Sequence, residues 1–175
     1  NEDVAEENNE ENVENVEDET PAKKFGAILI GDENEGYTYA HIEGIKTAAA
    51  ALNVPEENIL WKYTVPEDQT CYDAAIDLIA NGCTTIFSNS YGHQTFMQNA
   101  AKENPEIQFV SMTGDTAKAS GLENFSNAFT KVYESRYVSG VVAGMKLAEL
   151  AEQNKIPAES IDENGNYKIG YVGAY

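Results

Sequence analysis

Two short stretches hold the residue types that could engage a small molecule. Gly31-Asp32-Glu33-Asn34-Glu35-Gly36-Tyr37-Thr38 follows one apolar run, and Asn89-Ser90-Tyr91-Gly92-His93 follows another. Tyr37 and Tyr91 bring flat π faces suited to stacking on a planar ring. The carboxylate of Asp32 and the hydroxyls of Thr38 and Ser90 add hydrogen-bonding groups. Gly92 stands just ahead of a predicted helix, where backbone can approach a ligand and free N–H donors point outward. Each of these residue types is also ordinary in a strand-to-helix turn. The binding reading therefore rests on the two stretches together, not on any one residue.

Catalytic chemistry is harder to assemble. The phosphate loop GxxxxGK[ST] and the dinucleotide fingerprint GxGxxG are both absent. No GxSxG turn occurs. His41 and His93 are the two histidines, neither with a partner at i, i+4, and with Cys71 and Cys83 far apart no zinc set forms. Asp32-Glu33 resembles the acidic pair of a phosphoacceptor receiver, but such a domain also needs an Asp closing the third strand, where this chain has Ser88-Asn89-Ser90. The residues thus point to a binding protein, not an enzyme, with no catalytic residue, metal or cofactor.

Positioning the two turns requires strands ahead of them and helices after them. Phe25–Ile30 is a continuous apolar run of the kind a fully buried parallel strand shows. A helix follows over Tyr39–Leu52, with Ile42, Ile45, Ala48, Ala49 and Leu52 at helical spacing. The alternation continues through a strand at 58–65, a helix at 71–80, a strand at 84–88, a helix at 94–102 and a strand at 108–113. A further strand is expected within 122–129. Tyr133–Glu152 reads as the longest helix, its small face of Ser139, Gly140, Ala143 and Gly144 suited to close approach to a sheet. A polar surface loop over 152–166 and a last strand at 167–172 complete the pattern. Strands separated by helices predict an α/β fold, a three-layer parallel sheet with helices on both faces.

Composition narrows the partners. The 175 residues carry a net charge of −19, and ten of the 30 carboxylates lie within residues 1–20, which hold no Lys or Arg. An acidic chain without a basic stripe repels phosphate backbones, which argues against nucleic acid. Residues 1–22 are expected to be a disordered acidic tether, because Glu/Asn repeats cannot bury enough apolar surface to order themselves. No apolar run is long enough to span a bilayer. Cys71 and Cys83 flank a predicted helix that would hold them roughly 18 Å apart, well beyond disulfide reach.

Several segments, in order, resemble the basic membrane protein family, the substrate-binding lipoproteins of ABC importers, many of them specific for nucleosides or purines. Gly36-Tyr37-Thr38-Tyr39-Ala40-His41 with Glu43-Gly44 is similar to that family's GWTYAH-type segment. Ser90-Tyr91-Gly92, Pro105–Phe109 and Thr113-Gly114 continue the likeness. Val132–Gly144 is similar to the family's YEGRYLAGxxAG helix, and Ile169–Tyr175 to its IGYVAAF strand. The resemblance implies that residues 23–175 are the N-terminal lobe of a type I periplasmic-binding-protein-like clamshell, whose second lobe is absent from this chain. It implies a nucleoside or purine-like ligand held at the cleft by Tyr37, with Ser90, Tyr91 and Gly92 on a second loop. Tyr133 and Glu134 fall at the cleft edge, and Asp32 near a loop acid that some members set against a ligand hydroxyl. Where the family often has Trp, Tyr37 keeps the π face and adds a hydroxyl. The implied partner is an ABC permease. The implied location is extracytoplasmic, a cell-surface lipoprotein held by a lipid anchor upstream of Asn1. The alternative is a sensory or protein-interaction module that reuses the fold.

Overall fold

The computed structural model describes residues 23–173, and the chain forms two compact units, Asn1–Phe129 and Thr130–Tyr175. The expected tether over 1–22 lies outside the described residues. In the first unit five strands alternate with helices: β1 (Lys24–Ile28), α1 (Gly36–Ala51), β2 (Ile59–Lys62), α2 (Gln69–Ala80), β3 (Cys83–Ser88), α3 (His93–Glu103), β4 (Gln108–Ser111), α4 (Ala117–Ser120) and β5 (Phe125–Asn127). All neighbours pair in parallel, in the order β2-β1-β3-β4-β5. This is the α/β sheet that the alternating pattern predicts.

The pleat sends alternate side chains to opposite faces, so each strand feeds two layers. On one face Ile28, Ile86, Phe109 and Phe125 pack with Cys71, Ala75 and Leu78 of α2 and Met97, Ala100 and Ala101 of α3. Burying a side chain the size of Leu78 or Phe109 contributes roughly 1.5–3 kcal/mol, so this layer is the main anchor of the unit. At Gly26 a Cβ would lie 2.7 Å from Leu78 Cδ1, so glycine is what lets α2 sit this close to β1. On the opposite face α1 lies over Phe25 and Phe87, whose rings stack 6.4 Å apart.

Both cysteines are free and buried, as their predicted separation requires. Burial pushes the Cys71 thiol up to about 12, which keeps it protonated and inert.

The second unit contains α5 (Val132–Glu152) and a short 3₁₀ turn at Ala158–Ser160. No residue of α5 is buried, and Tyr137, Val138, Val142 and Met145 are all exposed. The last strand expected at 167–172 does not form among the described residues. Tyr167 makes one isolated antiparallel bridge to Ile161, and Ile169, Tyr171 and Val172 are exposed. An apolar alternation becomes a strand only when a neighbour supplies a ladder of hydrogen bonds, and within this unit that single bridge is all that is offered.

Candidate functional site

The strand order reverses between β1 and β3: β1 leads outward to β2 on one side, while β3 leads to β4 and β5 on the other. Ligands of open parallel sheets settle beyond the strand ends at such a switch. Both tyrosine-bearing turns open there.

The first turn is built locally. The carboxylate of Glu35 accepts hydrogen bonds from Tyr37 N (2.7 Å) and Thr38 N (2.8 Å), satisfying N–H groups that a helix start leaves without partners. This cap starts α1 at Gly36, three residues ahead of the predicted Tyr39, and puts Tyr37 and Thr38 in its first turn. The same bonds to Thr38 and Tyr37 hold the Glu35 carboxyl below the usual carboxylate value. Asp32, half-buried, accepts from Asn34 N at 2.9 Å and so shapes the turn. The Tyr37 hydroxyl donates to the backbone carbonyl of Asn89, and its ring meets His41 edge-on at 4.7 Å.

The second turn is held from a distance. Asn89, buried, accepts from Ile30 N at 2.8 Å and faces the Thr38 hydroxyl at 3.4 Å, tying the two turns together. Glu67, in the loop after β2, accepts from Ser90 Oγ and from Gly92 N (2.7 Å). Tyr91 donates its hydroxyl to Asp115, 3.2 Å from each carboxylate oxygen. Gln94, buried, accepts from Asp115 N, Thr116 N and Thr116 Oγ1, which fixes the loop after β4 to the base of α3. His93 is fully buried, with Nε2 2.9 Å from Val65 O and Nδ1 without a partner. Burial lowers its pKa, so the ring is neutral at neutral pH.

Six of the eight residues singled out from the sequence gather at this edge. Tyr37 is 44% exposed and Tyr91 42%, so both rings reach solvent, on turns joined through Asn89. Thr38 and Ser90 are buried, with Thr38 Oγ1 facing the Asn89 side chain and Ser90 Oγ bonded to Glu67. Gly92 heads α3 and Asp32 closes the turn after β1. Tyr133 and Glu134 lie at the start of α5, in the second unit, where Tyr133 is exposed and Glu134 stands 3.8 Å from Lys131. Glu67 was not singled out from the sequence. Its partners lie more than twenty residues away, and no local spacing announces that reach.

A second concavity, about 350 Å³, lies between α1 and the sheet and is lined by Phe25, Ile45, Ile59, Phe87 and Met112. It is almost wholly apolar, so it offers little to orient a polar ligand. Among the described residues no cluster of three or more His, Cys, Asp or Glu could hold a metal ion, and no helix is long and apolar enough to cross a membrane.

No protein-family model matches the chain. Over 121 residues it is 30% identical to a purine-binding protein of Brucella abortus (strain 2308), covering 69% of this chain and 33% of that protein. The chain thus spans about a third of that relative's length. This likeness supports a solute-binding family. Among solved structures it is similar to an ABC transporter solute-binding protein from Conexibacter woesei, with a TM-score of 0.50 and 19% identity over 61% of this chain and 34% of that one. A transcriptional activator of the comK gene from Bacillus halodurans gives a TM-score of 0.49 at 19% identity, over 59% of this chain and 33% of the other. The Conexibacter likeness is one of fold: a five-stranded parallel sheet flanked by helices.

Proposed function

We propose that this chain is the ligand-recruiting lobe of an extracytoplasmic solute-binding protein of the basic membrane protein family, which captures a nucleoside or purine-like ligand for an ABC importer. The observation that carries the reading is the meeting of the two tyrosine-bearing turns at the switch between β1 and β3, where Tyr37 bonds to Asn89 O. The similarity to a purine-binding protein supports the ligand class. Tyr37 and Tyr91 stack on the planar base. Backbone and carboxylate groups of the rim, Asp32 and Asp115 among them, receive its N–H and hydroxyl groups. Thr38 and Ser90 act beneath, holding the turns in place. No bond is made or broken. Residues 1–22 act as an acidic tether below a lipid anchor, and a second lobe closes on the ligand before a permease receives it.

The test is calorimetric titration of the full-length protein with adenosine, inosine and guanosine, beside native mass spectrometry of the protein taken from its host. One of these ligands should bind, and Tyr37→Ala should weaken it at least about fivefold, since stacking contributes roughly 1–3 kcal/mol per base. A full-length protein that binds none of them and carries no planar small molecule contradicts the reading.

A further inference from the structure

Of the helices that begin at the carboxyl edge of the sheet, α1, α2 and α3 each already hold a carboxylate of this chain at their start. Glu35 caps α1 through Tyr37 N and Thr38 N, and Asp68 caps α2 through Thr70 N at 2.8 Å. Gly92, at the head of α3, has no side chain with which to cap, and Glu67 reaches across from the loop after β2 to fill that place. The N–H of Gly92 donates to Glu67 Oε1, that of His93 to Ser90 O (3.2 Å) and that of Gln94 to Tyr91 O (3.3 Å). A helix start is ordinarily a ready seat for a phosphate, through its N–H groups and the positive end of the helix dipole. Here the seat beside Tyr91 is taken.

We propose that Glu67 is a built-in occupant of the anion seat at the start of α3, so that the rim accepts an uncharged ligand and turns away its phosphorylated counterpart. The selectivity for a ligand rests on the proposed function above; the occupied seat does not. Two physical effects act together. A phosphate would have to displace the Glu67 carboxylate from Gly92 N and Ser90 Oγ, leaving it without those partners. If it stayed, phosphate and carboxylate would face each other at close range, which costs energy even near solvent. Gly92 is part of the same device. A Cβ there would lie 2.8 Å from Glu67 Cβ and 2.5 Å from its Cδ, so only glycine admits the carboxylate this close. The rim adds to the effect, since the turns Gly31–Thr38 and Asn89–His93 contain Asp32, Glu33 and Glu35 but no Lys or Arg.

The direct test needs no knowledge of the natural ligand. Inorganic phosphate is titrated into the full-length protein while the backbone amides of Gly92 and His93 are followed by NMR. In the wild type those amides should stay unmoved, whereas in Glu67→Ala they should shift and saturate, with apparent affinity at least about tenfold above the wild type. Glu67→Gln, which keeps the acceptor without the charge, should fall between the two, and its amide spectrum away from α3 shows that the fold is intact. Saturable phosphate shifts at Gly92 in the wild type, or none in a folded Glu67→Ala, overturn the proposal. A second arm titrates adenosine and adenosine 5′-monophosphate. The preference for the nucleoside should narrow in Glu67→Ala; an unchanged preference overturns the inference and leaves the binding function standing. If adenosine does not bind at all, the proposed ligand class fails, and the phosphate arm still decides the role of Glu67.

Discussion

The two turns at the carboxyl edge do similar work by opposite means. The β1–α1 turn is closed by its own residues, with Glu35 bonded to amides two and three positions ahead. The β3–α3 turn is closed by residues far off in the chain: Glu67, Asp115 and the backbone of Ile30. A local cap forms as soon as its helix does. A distant one exists only once the sheet has brought β2, β3 and β4 together. The first turn is therefore a property of a segment, the second a property of the fold, and substitutions should tell them apart.

Asn89→Ala should have the largest effect, because it severs the tie between the turns. It leaves the part-buried Ile30 N without its acceptor, removes the buried Asn89 side chain and should cost about 2 kcal/mol in urea unfolding. Gly92→Ala should cost about 2 kcal/mol, since the new methyl overlaps Glu67 in a place held by distant contacts. The matching change in the local turn should do the reverse. At Gly36 a Cβ meets nothing within 4 Å, so Gly36→Ala should stabilise by about 0.5 kcal/mol. A loss of stability at Gly36 comparable to that at Gly92 would erase the contrast.

Acid should weaken the two turns in different windows. His93 is buried and its folded pKa is lowered, so its contribution is present above the unfolded value of about 6.5 and is lost as pH falls below it. His41 is shifted the same way by burial, so the slope is read as the difference between the wild type and His93→Gln. Glu35, also lowered, contributes above the ordinary carboxylate range and fades only as pH falls through its depressed value. The pH dependence of stability should therefore flatten below about pH 6.5 in His93→Gln and only below about pH 4.5 in Glu35→Gln. Coincident changes in the two variants would show that the turns do not act separately.

The same contrast explains what could be read from the sequence. The alternation of apolar runs and helical stripes is local, and it predicts β1 to β4 and α1 to α3 to within a few residues. The early start of α1 was legible too, had Glu35 been read as a cap ahead of Gly36. The fifth strand is shorter than the 122–129 segment in which it was expected, with just Phe125–Asn127 pairing to β4. Tyr37 and Tyr91 were legible as aromatic rings in the turns after buried strands, and both reach solvent. Thr38 was read as part of an open turn, yet its side chain is buried against Asn89 once α1 begins early. The reach of Glu67 and Gln94 was not legible, because their partners are brought close by strand order and not by spacing. The segment at 167–172 teaches the converse: its alternation is right for a strand, but pattern alone does not supply a pairing edge.

The central claim is that the edge between β1 and β3, and not the apolar groove under α1, receives the ligand. The measurement that tests it most directly is an amide shift map of the full-length protein titrated with adenosine. Saturable shifts concentrated on Gly31–Thr38 and Asn89–Gln94 are the predicted result. Shifts centred instead on Phe25, Ile45, Ile59 and Phe87, with the two turns silent, would contradict the account.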